Sequence, residues 1–488
     1  MLSERENAVR DETTYEIPVE NQEPRSSAQS LWLELKRAIS GTEADYTEIS
    51  IGKGVFLLAV PMILELIMES TFAVVDIYFV GTLGPSAVAT VGLTETYLFL
   101  LYSIAIGLSM AVTAIIARRI GEKNKDEAGV TAIQAIFIAV LVSIPFALAG
   151  ILFARDLLML MGADEWILEH GYHYTQWMLG GNAVVMLLFV INSIFRGAGD
   201  PSIAMRVLWI ANGVNIILDP VLIFGLGPFP ELGIQGAAIA TNIGRGVGVL
   251  AQLWLLFRGG KHIRALRSHI ILNREIISRI IRTSLGGIGQ MIVAMTSWIF
   301  VMRIIADFGS HAVAGATIAL RIMMFTLMPA WGMSNAVATL VGQNLGAKKP
   351  DRAERSVWVT GFWNMLFLIG VSVFYFLFSE TLVAIFTDEE NVIAIGGKWL
   401  TIVSYSYGVY AWWMVAVQAF NGAGDTATPT KINLVFFWLI QIPLSYFMAK
   451  TLGMEHTGVF WAIFISETSV GLFTLWLFTR GKWKTVQV

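Results

Sequence analysis

The stretch VVDIYFVG, residues 74–81, closes a long apolar run that begins near Val55. A run of about 20 apolar residues forms a helix long enough to cross a bilayer, so this stretch predicts the end of a membrane span. The span carries a carboxylate, Asp76, close to that end. A charged side chain within a span costs about 2.5–3.5 kcal/mol on insertion scales, which makes Asp76 a candidate functional residue.

The composition of the whole chain agrees with this interpretation. Of its 488 residues, 56% are hydrophobic and 14% are charged, whereas soluble proteins carry about 25% charged residues. We therefore expect an all-α integral membrane protein. The chain contains no cysteine, which excludes disulfides, thiolate metal sites and cysteine nucleophiles.

The first 50 residues differ from the rest because they hold no apolar run and carry more acidic than basic side chains. They do not resemble a cleavable signal peptide, so we expect residues 1–50 to form a solvated cytoplasmic tail. One segment of this tail, residues 31–39, is amphipathic and is expected to form a short helix on the inner membrane surface.

Apolar runs of spanning length recur along the chain, and we count twelve. They lie near residues 54–82, 92–117, 129–153, 166–195, 202–225, 233–257, 276–306, 316–342, 356–379, 392–420, 430–450 and 457–479. Lysine and arginine are absent from the 1–2 and 5–6 connections but cluster in the 2–3, 6–7 and 8–9 connections. Because positive residues are retained in the cytoplasm, we expect both termini to be cytoplasmic in a multi-pass protein of the cell membrane.

An internal repeat divides the chain into two halves. GLSMAV at residues 107–112 returns as GMSNAV at 332–337, and GAGD at 197–200 returns as GAGD at 422–425, both after 225 residues. One constant offset predicts two homologous six-helix bundles related by a pseudo-twofold axis along the membrane normal. We expect a first lobe at 51–258, a cytoplasmic connection at 259–275, a second lobe at 276–480 and a cytoplasmic C-terminus at 481–488. A duplicated scaffold without transport is the alternative.

The polar residues within the spans are concentrated in the first half. Asp76, Asn215 and Asp219 correspond at this offset to Val301, Ile440 and Leu444. Asn215 and Asp219 are four residues apart, so they lie on one face of span 5. Asp76 and Thr241, in spans 1 and 6, are expected at a similar depth.

These four residues, Asp76, Asn215, Asp219 and Thr241, predict a cation site. Carboxylate, amide and hydroxyl oxygens suit Na⁺, with Asp76, Asn215 and Asp219 as ligands, and two neighbouring carboxylates also suit a shared proton. The sequence leaves Na⁺ and H⁺ open. The alternative is that the polar residues join the helices structurally.

Span 1 carries two more carboxylates, Glu65 and Glu69, within about 20° of a line through Asp76. An acidic stripe within a membrane is tolerable beside a water-filled cavity, where it would attract cationic substrates. For Glu65, a partner on another span is an equally good interpretation. Pro61 removes a backbone hydrogen bond from span 1 and predicts a hinge there. The roles of Glu95, Arg245 and Glu467, which also lie within spans, stay open; for Glu467 a structural partner is favoured.

The sequence resembles the multidrug and toxic compound extrusion (MATE) family over about residues 50 to 480. The marks of the resemblance are the Val75–Asp76 pattern ending in Gly81, the RGAGD turn at 196–200 with its repeat, NIILDP at 215–220, and GIQGAA at 233–238. The absence of an acidic residue between Ile276 and Ala306 favours the DinF-like branch.

The resemblance implies twelve helices in two lobes around a V-shaped cleft. It implies efflux of cationic or amphipathic compounds in exchange for inward Na⁺ or H⁺. It places the cation site on Asp76, Asn215, Asp219 and Thr241, adds Asn192 as a cavity residue and matches Pro61 to a proline at which span 1 bends.

We therefore expect a multidrug antiporter, with Glu65, Glu69 and Asn192 facing the substrate cavity. Its partners would be small molecules and the lipid bilayer, without nucleic acid or cofactor, and we expect a monomer. The alternative is a flippase of lipid-linked oligosaccharides from the same superfamily, which the acidic stripe argues against. A membrane-embedded enzyme is not favoured, because none of the six histidines lies mid-span beside a plausible partner.

Overall fold

A computed structural model describes residues 27–42, 44–259 and 263–487, and every regular element in them is helical. The tail residues 1–26, Glu43, residues 260–262 and Val488 lie outside this description, as do the predictions made for them. A short helix, Ser27–Ser40, precedes the spans. It covers the predicted amphipathic segment.

Twelve membrane spans follow among the described residues when the bent pair of helices is counted as one span, as predicted. Spans 1 to 6 are Ile51–Gly81, Pro85–Gly121, Lys125–Leu160, Ile167–Ala198, Pro201–Phe224 and Ile234–Arg258. Spans 7 to 12 are Arg274–Ala306, Ser310–Gly346, Pro350–Ala384, the pair Glu390–Ser404 with Tyr407–Ala423, Ala427–Thr451 and Glu455–Thr479. The all-α membrane fold is therefore confirmed.

The sequence repeat is also a repeat of backbone conformation. Spans 2 and 8 begin and end at positions 225 residues apart. Left-handed residues recur at the same offset: Gly199 and Gly424, at φ 92° and 91°, end the fourth and tenth spans. Glycine adopts this conformation without the steric cost of a Cβ. The two GAGD motifs thus turn the chain into spans 5 and 11.

Spans 4 and 10 are interrupted at equivalent positions. Span 4 has a turn at Gly181, and the two parts of span 10 meet at a 62° bend next to Ser406. A polar residue from the last span of each lobe lies at each interruption. Asn242 donates to the Trp177 carbonyl at 2.9 Å, and Glu467 accepts from the Ser406 hydroxyl at 2.7 Å. Glu467 therefore has the structural partner favoured from the sequence.

The two lobes join at one end of the bundle, where the segment before span 1 and the segment after span 12 both lie; we name it the terminal end. There Gln343 of span 8 donates to the Gly197 carbonyl at 3.1 Å, and Thr339 donates to the Arg196 carbonyl at 3.0 Å. Gly121 lies so close to the Gln343 backbone that a side chain has no room. Side chain to backbone bonds and glycine contacts thus close this end.

Residues 44–50 differ from the solvated tail that we expected. Tyr46 and Thr47 are buried. Lys349 donates to the Thr47 carbonyl at 3.0 Å, and Arg352 donates to the Ile49 carbonyl. The reason is that this segment offers both apolar side chains and backbone carbonyls to the basic start of span 9. It therefore ties the chain before span 1 to the second lobe.

We expect Gly121→Ala to destabilise the closed terminal end, because its methyl group would overlap the Gln343 backbone. Overpacking of this kind costs about 1–3 kcal/mol. Thermal unfolding of the detergent-solubilised protein should show a lower midpoint. Gly92→Ala on the same helix is the control, since nothing lies within 4 Å of its Cβ position; its midpoint should not fall. Equal midpoints for the two variants would contradict the predicted glycine contact.

Candidate functional site

Polar side chains of the first lobe form three layers along the spans. Span 1 contributes Asp76, Glu69 and Glu65, one to each layer, from one face of the helix. At 1.5 Å per residue these positions are separated by about 10 Å and 6 Å along the helix axis. We name the layers by their members. The carboxylate layer is Asp76, Asn215, Asp219 and Thr241; the ion-pair layer is Glu69, Asn212 and Arg245; the glutamate layer is Glu65, Asn192, Arg196 and Gln252.

The carboxylate layer lies farthest from the terminal end. Asn215 of span 5 donates to the Thr241 hydroxyl of span 6 at 3.1 Å. Asp219 follows one helical turn after Asn215, and Asp76 of span 1 is half-buried and near enough for its charge to repel that of Asp219. Glu95 of span 2 adds a further negative charge within electrostatic reach of Asp76. Three spans therefore bring the four predicted residues into one neighbourhood.

Asp219 is the most informative member of this layer. Its side chain is 0% exposed, and neither carboxylate oxygen has a hydrogen-bond partner among the described residues. The side-chain oxygen of Asn215 is likewise buried without a described partner. An uncompensated charge in a low-dielectric interior is strongly unfavourable, so Asp219 requires either a cation or a proton.

The ion-pair layer compensates its own charge. Arg245 of span 6 donates to one oxygen of Glu69 at 3.0 Å, and Asn212 of span 5 donates to the other at 3.2 Å. The guanidinium also lies 5.6 Å from the centre of the Phe72 ring, within the range of a cation–π contact. Unlike Asp219, Glu69 is therefore half of a neutral ion pair.

The glutamate layer lies closest to the terminal end. Glu65 is buried and accepts a hydrogen bond from Asn192 at 3.2 Å, while Arg196 lies 3.9 Å away. Gln252 of span 6 donates in turn to Asn192. This arrangement is the partner on another span that the sequence left open for Glu65. It also shows Asn192 buried between two side chains.

A sequence model of the MatE family matches residues 61–221 and 286–447, which together make up more than half of the chain. One matched segment falls in each lobe, and the first contains the layer residues of spans 1, 4 and 5. The chain belongs to the MATE family. Members of this family are transporters.

Individual MATE proteins show how far the similarity extends. The probable multidrug resistance protein YoeA of Bacillus subtilis strain 168 is 26% identical to this chain, over 90% of this chain and 96% of its own. The probable multidrug resistance protein NorM of Thermotoga maritima is 27% identical, over 89% and 93%. A crystal structure of a MATE protein in the bent conformation has a TM-score of 0.84 at 23% identity, covering 92% of this chain and 98% of that one.

The layers contain residues that sequence reasoning did not assign. Asn212 belongs to the ion-pair layer, Arg196 and Gln252 belong to the glutamate layer, and Arg245 gains a definite partner. The sequence does contain a signal for Asn212 and Gln252, because polar residues of spans 5 and 6 recur at helical spacing. Asn212 precedes Asn215 by three positions, and Gln252 follows Arg245 by seven. Their spacing in the sequence shows that they share a helix face, but it cannot show which carboxylate each of them contacts.

Pro61 lies inside span 1, one helical turn before Glu65. The helix continues through it without interruption from Ile51 to Gly81. The hinge assigned to Pro61 therefore stays a prediction, as do the roles of the cation-site and cavity residues.

The donor set of the carboxylate layer fits a hard cation. Within the part of the chain that the structure describes, no group of three or more His, Asp or Glu side chains is placed to hold a metal ion. The layer offers instead two carboxylates together with amide and hydroxyl oxygens, which are ligands for Na⁺ and also acceptors for a proton.

We expect Asp219→Asn to remove the effect of coupling cations on stability. A ligand that binds the folded state raises its stability by mass action, so wild type should unfold at a higher temperature when Na⁺, or acid, fills the layer. The variant should lose this response because the charge that attracts the cation is absent. Unfolding midpoints of purified protein across Na⁺ and pH series would measure it. Glu467→Gln is the control, and an undiminished response in Asp219→Asn would contradict the assignment.

Proposed function

We propose that this MATE transporter is a secondary active multidrug antiporter, which exports cationic or amphipathic organic compounds in exchange for inward Na⁺ or H⁺. The observation that carries the proposal is the carboxylate of Asp219, buried and without a described partner. A carboxylate that stayed uncompensated at this position would only destabilise the protein. A cation site that is occupied in one part of the transport cycle and vacant in another explains why the Asp219 carboxylate is there.

We assign the coupling cation to the carboxylate layer. Asp219 and Asp76 would supply the charge, and Asn215 with Thr241 the neutral oxygens. If Na⁺ is the ion, Asp76, Asn215 and Asp219 would be its ligands; if H⁺ is the ion, the two carboxylates would share it. A ligand shifts a conformational equilibrium only by binding the two states differently. Here the difference would arise because Asp76 and Asp219 belong to different spans and meet in one state only.

The substrate cavity would lie between the lobes, nearer the terminal end than the cation. Glu69 is its best-supported acidic residue, because about a third of its side chain, 36%, is exposed. Glu65 and Asn192 are buried here and would reach substrate only after the glutamate layer rearranges. Bending of span 1 at Pro61, which precedes both glutamates, is a movement that could open this layer.

Orientation in the membrane belongs to the proposal as well. The basic 2–3 and 8–9 connections share the terminal end of the bundle, which by the distribution of positive charge would be cytoplasmic. The lobes are joined at that end, so the described conformation would be closed to the cytoplasm. Multidrug resistance in the names of the B. subtilis and T. maritima relatives supports export. The lipid-linked oligosaccharide flippase is not favoured by these relatives.

Gradient-driven export tests the proposal directly. Everted membrane vesicles should accumulate a fluorescent cationic dye when either a Na⁺ or an H⁺ gradient is imposed, and the effective gradient identifies the ion. We expect Asp76→Asn and Asp219→Asn to reduce accumulation to the level of vesicles without the transporter, with normal membrane insertion.

Glu467→Gln in the second lobe is the matched control for that experiment and should retain accumulation. Loss of transport in Glu467→Gln, with full activity in both first-lobe variants, would contradict the proposal and place the coupling site in the second lobe. Absence of accumulation in wild type under both gradients would overturn the antiport proposal.

The hinge is tested by Pro61→Ala, which restores a backbone donor to span 1. We expect slower dye export with unchanged cation-induced stabilisation, because the variant would bind the cation but bend less readily. Initial rates of dye accumulation and unfolding midpoints, measured on the same preparations, separate the two effects. Wild-type rates in Pro61→Ala would remove Pro61 from the mechanism.

A further inference from the structure

Arg245 is a buried cation placed between two sets of carboxylates. It lies on span 6 one helical turn from Thr241, on the same face of the helix. Its side chain is only 7% exposed. One of its terminal nitrogens donates to Glu69 at 3.0 Å, whereas its Nε is buried without a described hydrogen-bond partner. The guanidinium is thus held on one side and unsatisfied on another.

The two residues of this ion pair are unequally accessible. Glu69 is 36% exposed while Arg245 is almost fully buried. An organic cation that enters the cavity therefore meets the carboxylate first. Both carboxylate oxygens are already occupied, one by Arg245 and one by Asn212. A cationic substrate can bind Glu69 strongly only by displacing the guanidinium, because two positive groups cannot share the pair without repulsion.

A displaced guanidinium has a second carboxylate within reach of its charge. Asp76 lies on the same face of span 1 as Glu69, and the guanidinium already lies over the ring of Phe72, which falls between these two carboxylates along the helix. A guanidinium keeps its positive charge in proteins and cannot remain buried without a counter-ion. Release from Glu69 therefore drives it towards Asp76, which belongs to the carboxylate layer.

We propose that Arg245 is a tethered cation that couples the two sites, neutralising Glu69 when the substrate is absent and moving to Asp76 when substrate occupies Glu69. This inference rests on the proposed antiport. In the second position the guanidinium competes with the coupling cation for the carboxylate layer. Substrate and coupling cation then exclude each other, as exchange requires.

The coupling must be reciprocal. If a coupling cation weakens substrate binding by some factor, substrate weakens cation binding by the same factor. A structural role for Arg245 would stabilise the lobe but would create no such dependence. The discriminating measurement is therefore the effect of the coupling cation on equilibrium substrate affinity, apart from any transport rate.

The experiment uses purified full-length transporter and rhodamine 6G as the cationic probe, with binding followed by fluorescence polarisation. Affinity is measured with NaCl against choline chloride at constant ionic strength, and separately across a pH series. In wild type, the effective cation should weaken rhodamine binding. In Arg245→Gln, rhodamine should bind about fivefold or more tightly without the cation, and the dependence on the cation should largely disappear. Arg245→Lys should restore it.

Two further variants make the result interpretable. Arg303→Gln is the matched control, because Arg303 is an arginine at the exposed end of span 7 and its side chain is 72% exposed; it should bind as wild type does. If Arg245→Gln does not fold, the double variant Glu69→Gln with Arg245→Gln removes both charges and leaves none uncompensated. Because the Glu69 carboxylate is gone, it should bind rhodamine more weakly than wild type, and this remaining binding should depend little on the cation.

The outcomes separate this inference from the proposed function. Wild-type cation dependence retained in Arg245→Gln, or in the double variant, would overturn the tethered-cation role and leave the antiport standing if vesicles still export dye. Weaker rhodamine binding in Arg245→Gln would overturn it too. If no cation changes the affinity of wild type for rhodamine, and vesicles show no gradient-driven accumulation of dye, both the tethered-cation role and the antiport proposal are overturned.

Discussion

A charge buried within a membrane must have a counter-charge, and this constraint organises the first lobe. Glu65 lies near Arg196 and is bonded to Asn192, and Glu69 is paired with Arg245. The carboxylate layer has no such basic residue bonded to it among the described residues. The acidic stripe of span 1 is therefore not uniform. Its two glutamates each have an arginine nearby, whereas Asp76 lies in the layer that has none bonded to it, and Asp219 of that layer is where an external cation or proton has most to contribute.

Duplication explains why this constraint applies to one lobe. Both halves keep the features that set the backbone, such as the left-handed Gly199 and Gly424 and the interruptions of spans 4 and 10. The second lobe has Val301 and Leu444 where the first has Asp76 and Asp219. The scaffold thus tolerates the loss of the carboxylates, which argues that they serve something other than folding.

At the terminal end the two lobes contact each other closely, through backbone packing and hydrogen bonds instead of ion pairs. Glycines such as Gly121 let backbones touch, and side chains such as Gln343 bond to carbonyls of the other lobe. Contacts of this type are short-ranged and are lost together when the lobes separate, because close packing forfeits its dispersion energy over small gaps. Residues 44–50 add polar bonds to the same closure, so opening this end would require their release as well.

The sequence alone determined the features that depend on periodicity and composition. The twelve apolar runs and the constant offset of the repeat can be found in the sequence itself, because hydrophobic length sets a span whatever surrounds it. It also indicated the carboxylate layer, because Asn215 and Asp219 share a helical face and differ from their counterparts in the repeat.

What only the tertiary structure decided was the pairing of charges. Whether Glu69 faces a cavity as a free acid or is held by Arg245, 176 residues further along the chain, depends on how spans 1, 5 and 6 rotate against one another. That rotation is fixed by side-chain packing throughout the lobe, and no local pattern encodes it.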